Sequence, residues 1–275
     1  MAFTKTTSGA TPSSTPGDQP AIRRRRSQWR SSPVLGQIAV ILALLLLWEL
    51  ASHHLYNPFW GSRPSMIAER LWELALSGHL WMHTSTTLQE AGAGLLLAAA
   101  VGVPVGIGLA RAPRLARLLD PIIMGLYGLP RVALAPLFIL WFGIGLISKI
   151  MMSFTMVLFI FILNVMEGIR TIDQDQLDLM KSMRAGKMYV AWTVLLPAVV
   201  PWIMASFRIG VGLALIGAVV GELIGSNRGL GWYVESSGGQ LDTTGVFSGL
   251  IVLMILAMLA NYLIGFIEKR MIKWR

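Results

Sequence analysis

The sequence contains no cysteine, which removes disulfides and thiolate-bound metals from its architecture. Charge is nearly as scarce: 13% of its 275 residues are charged, about half the share a water-soluble domain carries. No G-x-x-x-x-G-K-[ST] phosphate loop occurs, so ATP is not expected to be held by this chain. Nor are there the short alternating segments of a transmembrane β-barrel. Serines and threonines cluster in the N-terminal tail and in loops, away from any His–acid pairing, which leaves no nucleophile–base cluster and argues against an enzyme.

What the chain does have is long uncharged runs, at 31–48, 91–110, 132–148, 150–166, 188–207, 209–221 and 243–267. About 20 mainly apolar residues cross the hydrocarbon core as a helix. The reading is an all-α polytopic membrane protein with six transmembrane helices, at about 34–51, 88–110, 119–143, 149–168, 199–223 and 245–267. With the N-terminus inside, 17 of the 23 Lys and Arg residues fall on the inner side and four on the outer, while Arg131 and Arg208 lie within spans. That bias satisfies the positive-inside rule, so both termini are expected to be cytoplasmic and the net charge of +9 to face lipid head groups rather than nucleic acid. Residues 1–33, rich in Ser, Thr, Pro and Arg, are expected to be a disordered basic cytoplasmic tail, and 34–275 the transmembrane domain.

Two stretches bear on this topology. The run 188–207 is long enough to span, but counting it and 209–221 separately would put the C-terminus outside. Pro197 and Pro201 are instead expected to end a short amphipathic helix and open the fifth span. On the outer side, 63–82 reads as a surface helix, with Ile67, Leu71 and Leu74 at i, i+4 and i+7.

The longest internal loop, about 169–198, contains "QLDLMKSMRAGKMYVAWTVLLPAVVP". Leu177, Met180 and Arg184 share one side of a helix, with Met183 at its edge. A break at Arg184-Ala185-Gly186 separates them from a second helix expected before Pro197. An apolar ridge of this kind in water needs a cover, either a partner or the membrane surface.

This stretch resembles the cytoplasmic EAA loop of bacterial ABC-importer permeases. Asp178, Leu179 and Met180 stand where that motif has Glu-Ala-Ala. Arg184 stands where it has Gly, and Val194, Leu196 and Pro197 where it has Ile, Leu and Pro. Gly186, two residues on, is available to make the turn. "PLFILWFGIGLISKI", "FRIGVGLALIGAVVGELIG" and "GLGWYV" are similar to the permeases of the nitrate/sulfonate/taurine importer family.

The resemblance implies an importer-type permease fold in the bacterial inner membrane. It implies a second permease copy, ABC ATPase subunits that carry ATP and Mg, and a periplasmic or lipid-anchored binding protein. No cofactor is expected on this chain. Asp178, Leu179, Met180, Lys181, Met183, Arg184, Ala185, Gly186 and Pro197 would form the ATPase-coupling loop. The cargo would be a small, anionic solute of the sulfonate, taurine or nitrate kind. The alternative is a self-sufficient secondary transporter or channel.

Charges within spans carry functional weight, because an Arg at mid-bilayer costs about 2.5–3.5 kcal/mol on insertion scales. Arg131, in a span kinked by prolines, Arg208 and Glu222 are the candidate pathway residues. Arg208 and Glu222 lie too far apart on one helix to pair. Ala98, Gly102, Gly106 and Ala110, and likewise Gly217, Gly221 and Gly225, recur every four residues and predict close helix packing. His79 and His83 are i, i+4, but no Asp or Glu lies at i±3 or i±4 from either, so no metal site is expected.

Overall fold

The computed structural model describes residues 33–54 and 57–271; the expected basic tail, Pro33 apart, lies outside them, as do the last four residues. The chain divides into two units, Met1–Leu44 and Leu45–Arg275. The described residues of the first are helical and begin α1 (Pro33–His54). All further elements lie in the second: α2 (Pro58–Gly61), α3 (Pro64–Leu76), α4 (His79–Arg111), α5 (Pro113–Gly128), α6 (Ala135–Phe142), α7 (Leu146–Arg170), α8 (Gln174–Ser182), α9 (Lys187–Val190), α10 (Leu196–Ile224), α11 (Leu230–Gly239) and α12 (Thr243–Met271). No strand occurs among the described residues. Among the described residues, five helices are long and apolar enough to cross a membrane, or six when the bent pair of Pro113–Gly128 and Arg131–Phe142 counts as one span.

The core is α7 gripped between α4 and α10. Helices have no hydrophobic drive to associate in lipid, so close approach rests on small residues. A Cβ on Gly102 would lie 2.6 Å from the Cβ of Phe161, and one on Gly217 2.7 Å from the Cα of Ser153. Both small-residue stripes read from the sequence therefore pack, the first against α7. Its partner packs on α7 too, until Gly225 meets Ile139 of α6. Phe161, fully buried, meets Phe207 edge-on at 4.9 Å. Ser153 donates to the Ala214 carbonyl at 3.0 Å, and Asn164 to the Ser206 hydroxyl at 3.0 Å.

The outer surface helix expected over 63–82 is shorter than its apolar pattern. Pro64 opens α3, and Ser77-Gly78 breaks the chain, with Gly78 at φ +77°. The next helix then starts at His79, well before the expected boundary of the second span. Glu49 of α1 takes hydrogen bonds from the Ser65 hydroxyl (2.8 Å) and N–H (3.1 Å), placing a carboxylate at the N-terminus of α3.

The third span is bent by 82° between its two halves. Pro130 has no N–H, so α5 stops at Gly128 and a 3-10 turn at Arg131–Leu134 leads into α6. The fifth span departs from expectation in the other direction. Pro197 does not end a separate helix. Residues Lys187–Ile224 form one helix of 38 residues, with a π-turn at Ala191–Leu195 just before the proline. A proline ring clashes with the carbonyl four residues back in a regular helix, and the wider turn gives it room.

Candidate coupling and translocation sites

The loop between α7 and α10 is a helical hairpin. Buried Ile172 anchors its first limb, and Asp173 caps α8 by accepting from the Asp175 N–H at 3.0 Å. Its C-terminus closes by the paired bonds of a Schellman motif: Ala185 N–H to the Met180 carbonyl (3.0 Å) and Arg184 N–H to the Lys181 carbonyl (2.9 Å). That geometry puts its left-handed residue at 184, where φ is +51°. Gly186, at φ −64°, does not supply the turn; Arg184 makes it directly, at the position where the importer motif carries Gly. Left-handed backbone costs a Cβ-bearing residue about 1–2 kcal/mol, partly offset by the entropy a glycine loses on folding. Arg184→Gly is therefore expected to stabilise the protein by about 0.5–1 kcal/mol, read as a raised melting temperature in detergent.

The face the hairpin leaves uncovered differs from the one that spacing indicated. Leu177 and Met180 are half-buried, whereas Leu179, Met183 (68% exposed), Met188, Tyr189 and Trp192 (65%) stand open. Leu179 on α8 and Met183 at its C-cap are i, i+4, and the other three continue onto α9 and the π-turn. Asp178 and Lys181 pair at 2.7 Å but are well exposed, so their bond contributes little. Ala185 and Pro197 are half-buried and Gly186 is exposed.

The three candidate pathway residues do not come together. Arg131 donates to the Tyr127 carbonyl at 2.7 Å and to the Met156 carbonyl at 3.0 Å, with its guanidinium 5.2 Å from the Tyr127 ring centroid and 5.3 Å from that of Phe159. The Tyr127 carbonyl is one that the broken helix would otherwise orphan, so this cation substitutes for missing backbone. Arg208 pairs with Glu268 of α12 at 2.8 Å, not with Glu222.

Glu222, 1% exposed, sits at the far end of α10 in a polar cluster. It accepts from the Thr87 hydroxyl (2.6 Å) and the Gly231 N–H (2.5 Å). Thr87 in turn accepts from the Leu230 N–H at 2.8 Å, and His83 Nδ1 from the Gly229 N–H at 3.2 Å. Three successive backbone donors of "GLG" are thus met by α4 and α10. With Nδ1 so engaged, and its ring stacked on Trp232 at 5.3 Å, His83 is part of a structural clamp.

Buried Glu90 lies against Glu222 and pairs with Lys149 of α7 at 3.5 Å. Lys149 also donates to Ser226 at 2.7 Å. The expected spans put Glu90 near the start of the second and Lys149 at the start of the fourth, and neither was given a role. The available signal was a lone charge abutting each uncharged run.

The family model for the inner membrane component of binding-protein-dependent transport systems matches residues 102–273. The chain is 31% identical over 262 residues to the taurine transport system permease protein of Escherichia coli K12, covering 92% of this chain and 95% of that one. It is also 31% identical over 251 residues to the riboflavin transport system permease protein of Chloroflexus aurantiacus, covering 91% and 92%. In fold it is similar to an inward-facing structure of the MetNI methionine ABC transporter, with a TM-score of 0.57 at 21% identity, covering 72% of this chain and 94% of that chain. These relatives are permease subunits of ABC transporters, which are not themselves enzymes. The chain belongs to the binding-protein-dependent transport system inner membrane component family, as a multi-pass inner-membrane ABC importer permease of the taurine, sulfonate and nitrate type.

Proposed function

We propose that two copies of this chain line a path for a small anionic solute of the sulfonate, taurine or nitrate kind. A periplasmic or lipid-anchored binding protein delivers it. ATP and Mg act on separate ATPase subunits, which seat against the α8–α9 hairpin. Both termini lie on the ATPase side. Rigid-body rocking of the bundle then switches access.

The observation that supports this most is the row Leu179, Met183, Met188, Tyr189 and Trp192, large apolar side chains held out on a short structured turn. The helix Lys187–Ile224 is about 57 Å long at 1.5 Å per residue, so it outruns a hydrocarbon core of about 30 Å and has length to spare for the end that bears Met188, Tyr189 and Trp192 to stand outside it. The anionic class rests on the relatives named for taurine, aliphatic sulfonates and nitrate.

The test is co-purification of the cognate ATPase with the full-length chain. Leu179→Asp with Met183→Asp is expected to weaken capture more than tenfold, since a pair of central apolar anchors is worth about 2 kcal/mol or more. Charge reversal at Asp178 and Lys181, on the rim, should change it less. Undiminished capture by the double aspartate variant would remove the reading.

A further inference from the structure

A groove of about 400 Å³ runs between α4, α10 and α12 with an entirely apolar lining, open on one side. Its walls include Gly92 and Leu96 of α4, Phe207 of α10, and Ala260, Leu263 and Ile267 of α12. The residues that follow Phe207 and Ile267 are Arg208 and Glu268, the pair that ties α10 to α12 at 2.8 Å. Arg208 remains 58% exposed despite that bond, and Lys269 and Arg270 come next on α12. Leu263, Ile267 and Arg270 are i, i+4 and i+7 on α12, and the Arg270 guanidinium lies 4.9 Å from the Phe266 ring centroid, so this end of the groove carries two arginines and one carboxylate.

We propose that this groove binds an anionic phospholipid, with an acyl chain between the three helices and the phosphate at Arg208 and Arg270. The match is one of shape and polarity together. An apolar slot that ends at two arginines, only one of them paired with a carboxylate, has the layout of a phospholipid. A helix from a second copy, by contrast, would lay apolar residues over Arg208 and leave its remaining N–H groups without acceptors. Arginine presents several donors in a fork suited to phosphate. Snorkelling basic side chains at a helix end lie at head-group depth.

Gly92 gives a clean way to close the slot, because a Cβ there meets nothing within 4 Å. Full-length protein would be extracted from vesicles of equal phosphatidylglycerol and phosphatidylcholine, and its retained lipid counted by native mass spectrometry. The wild type is expected to keep phosphatidylglycerol in excess, by about fivefold for each basic side chain engaged. Arg208→Gln with Arg270→Gln should bring the two lipids towards parity. Gly92→Leu should lower retention of both, and Ala260→Leu, on the opposite wall, gives the same reading should the first variant fail to fold. Equal retention of the two lipids by the wild type would overturn the proposal. So would undiminished retention in whichever groove-filling variant folds, or cross-links placing a second copy's helix in the slot.

Discussion

Gly229→Ala is expected to lower the stability of the detergent-purified protein by about 3–5 kcal/mol, seen as a large fall in melting temperature. Two causes combine. Gly229 has φ +106° and ψ 163°, a region essentially closed to residues with a Cβ, worth about 1–3 kcal/mol alone. The added methyl would also overlap the Glu222 carboxyl group, which has no room to retreat because Thr87 and the Gly231 N–H hold its two oxygens. Gly239→Ala is the control. It closes the same short helix, α11, but a Cβ there meets nothing within 4 Å, so a change within about 0.5 kcal/mol is expected. Equal melting temperatures for the two variants would mean that the clamp around "GLG" is not formed.

The second large effect concerns the buried charges. Lys149→Met is expected to destabilise by about 3–5 kcal/mol, because it strips Glu90 of its cation in a site shut off from water. Glu90→Gln in the same chain should restore most of that loss. A neutral amide needs no counter-charge, and Glu222 keeps its own donors from Thr87 and Gly231. The difference between the single and double variants measures the pair directly. If the double variant melts no higher than Lys149→Met alone, Glu90 is not what Lys149 serves. The lysine would then matter through Glu222, on which it also acts, or through its bond to Ser226.

Much of this fold was legible because lipid as solvent leaves few solutions. A backbone in hydrocarbon must satisfy its own hydrogen bonds, so uncharged runs become helices, and the six expected spans follow the helices observed. Packing was legible for a related reason, since glycines at every fourth position serve close approach and little else. The prolines at 121, 130 and 136 gave warning that the third span is broken, but not that Arg131 would stand in for the missing backbone donors.

The rest depended on neighbours far apart in the chain. Glu90 and Glu222 meet across more than a hundred residues, and Lys149 joins from a third helix, a convergence that local spacing does not encode. The hairpin shows a subtler limit. Residue periodicity identified an amphipathic turn correctly. The face left uncovered is nonetheless that of Leu179 and Met183, and the left-handed residue of the turn is Arg184 and not Gly186. Pro197 misled for a different reason, because a π-turn absorbs it within an unbroken helix.

That unbroken helix has a mechanical corollary. Its near end bears the uncovered aromatic and methionine side chains, its far end bears Glu222, and between them Gly210 and Gly217 press it against α7. The same contact continues in both directions, from Gly168 against Trp202 to Gly221 against Lys149, so the two helices are fastened along most of their shared length. A push where Tyr189 and Trp192 protrude would carry both together, as one beam and not as a hinged pair.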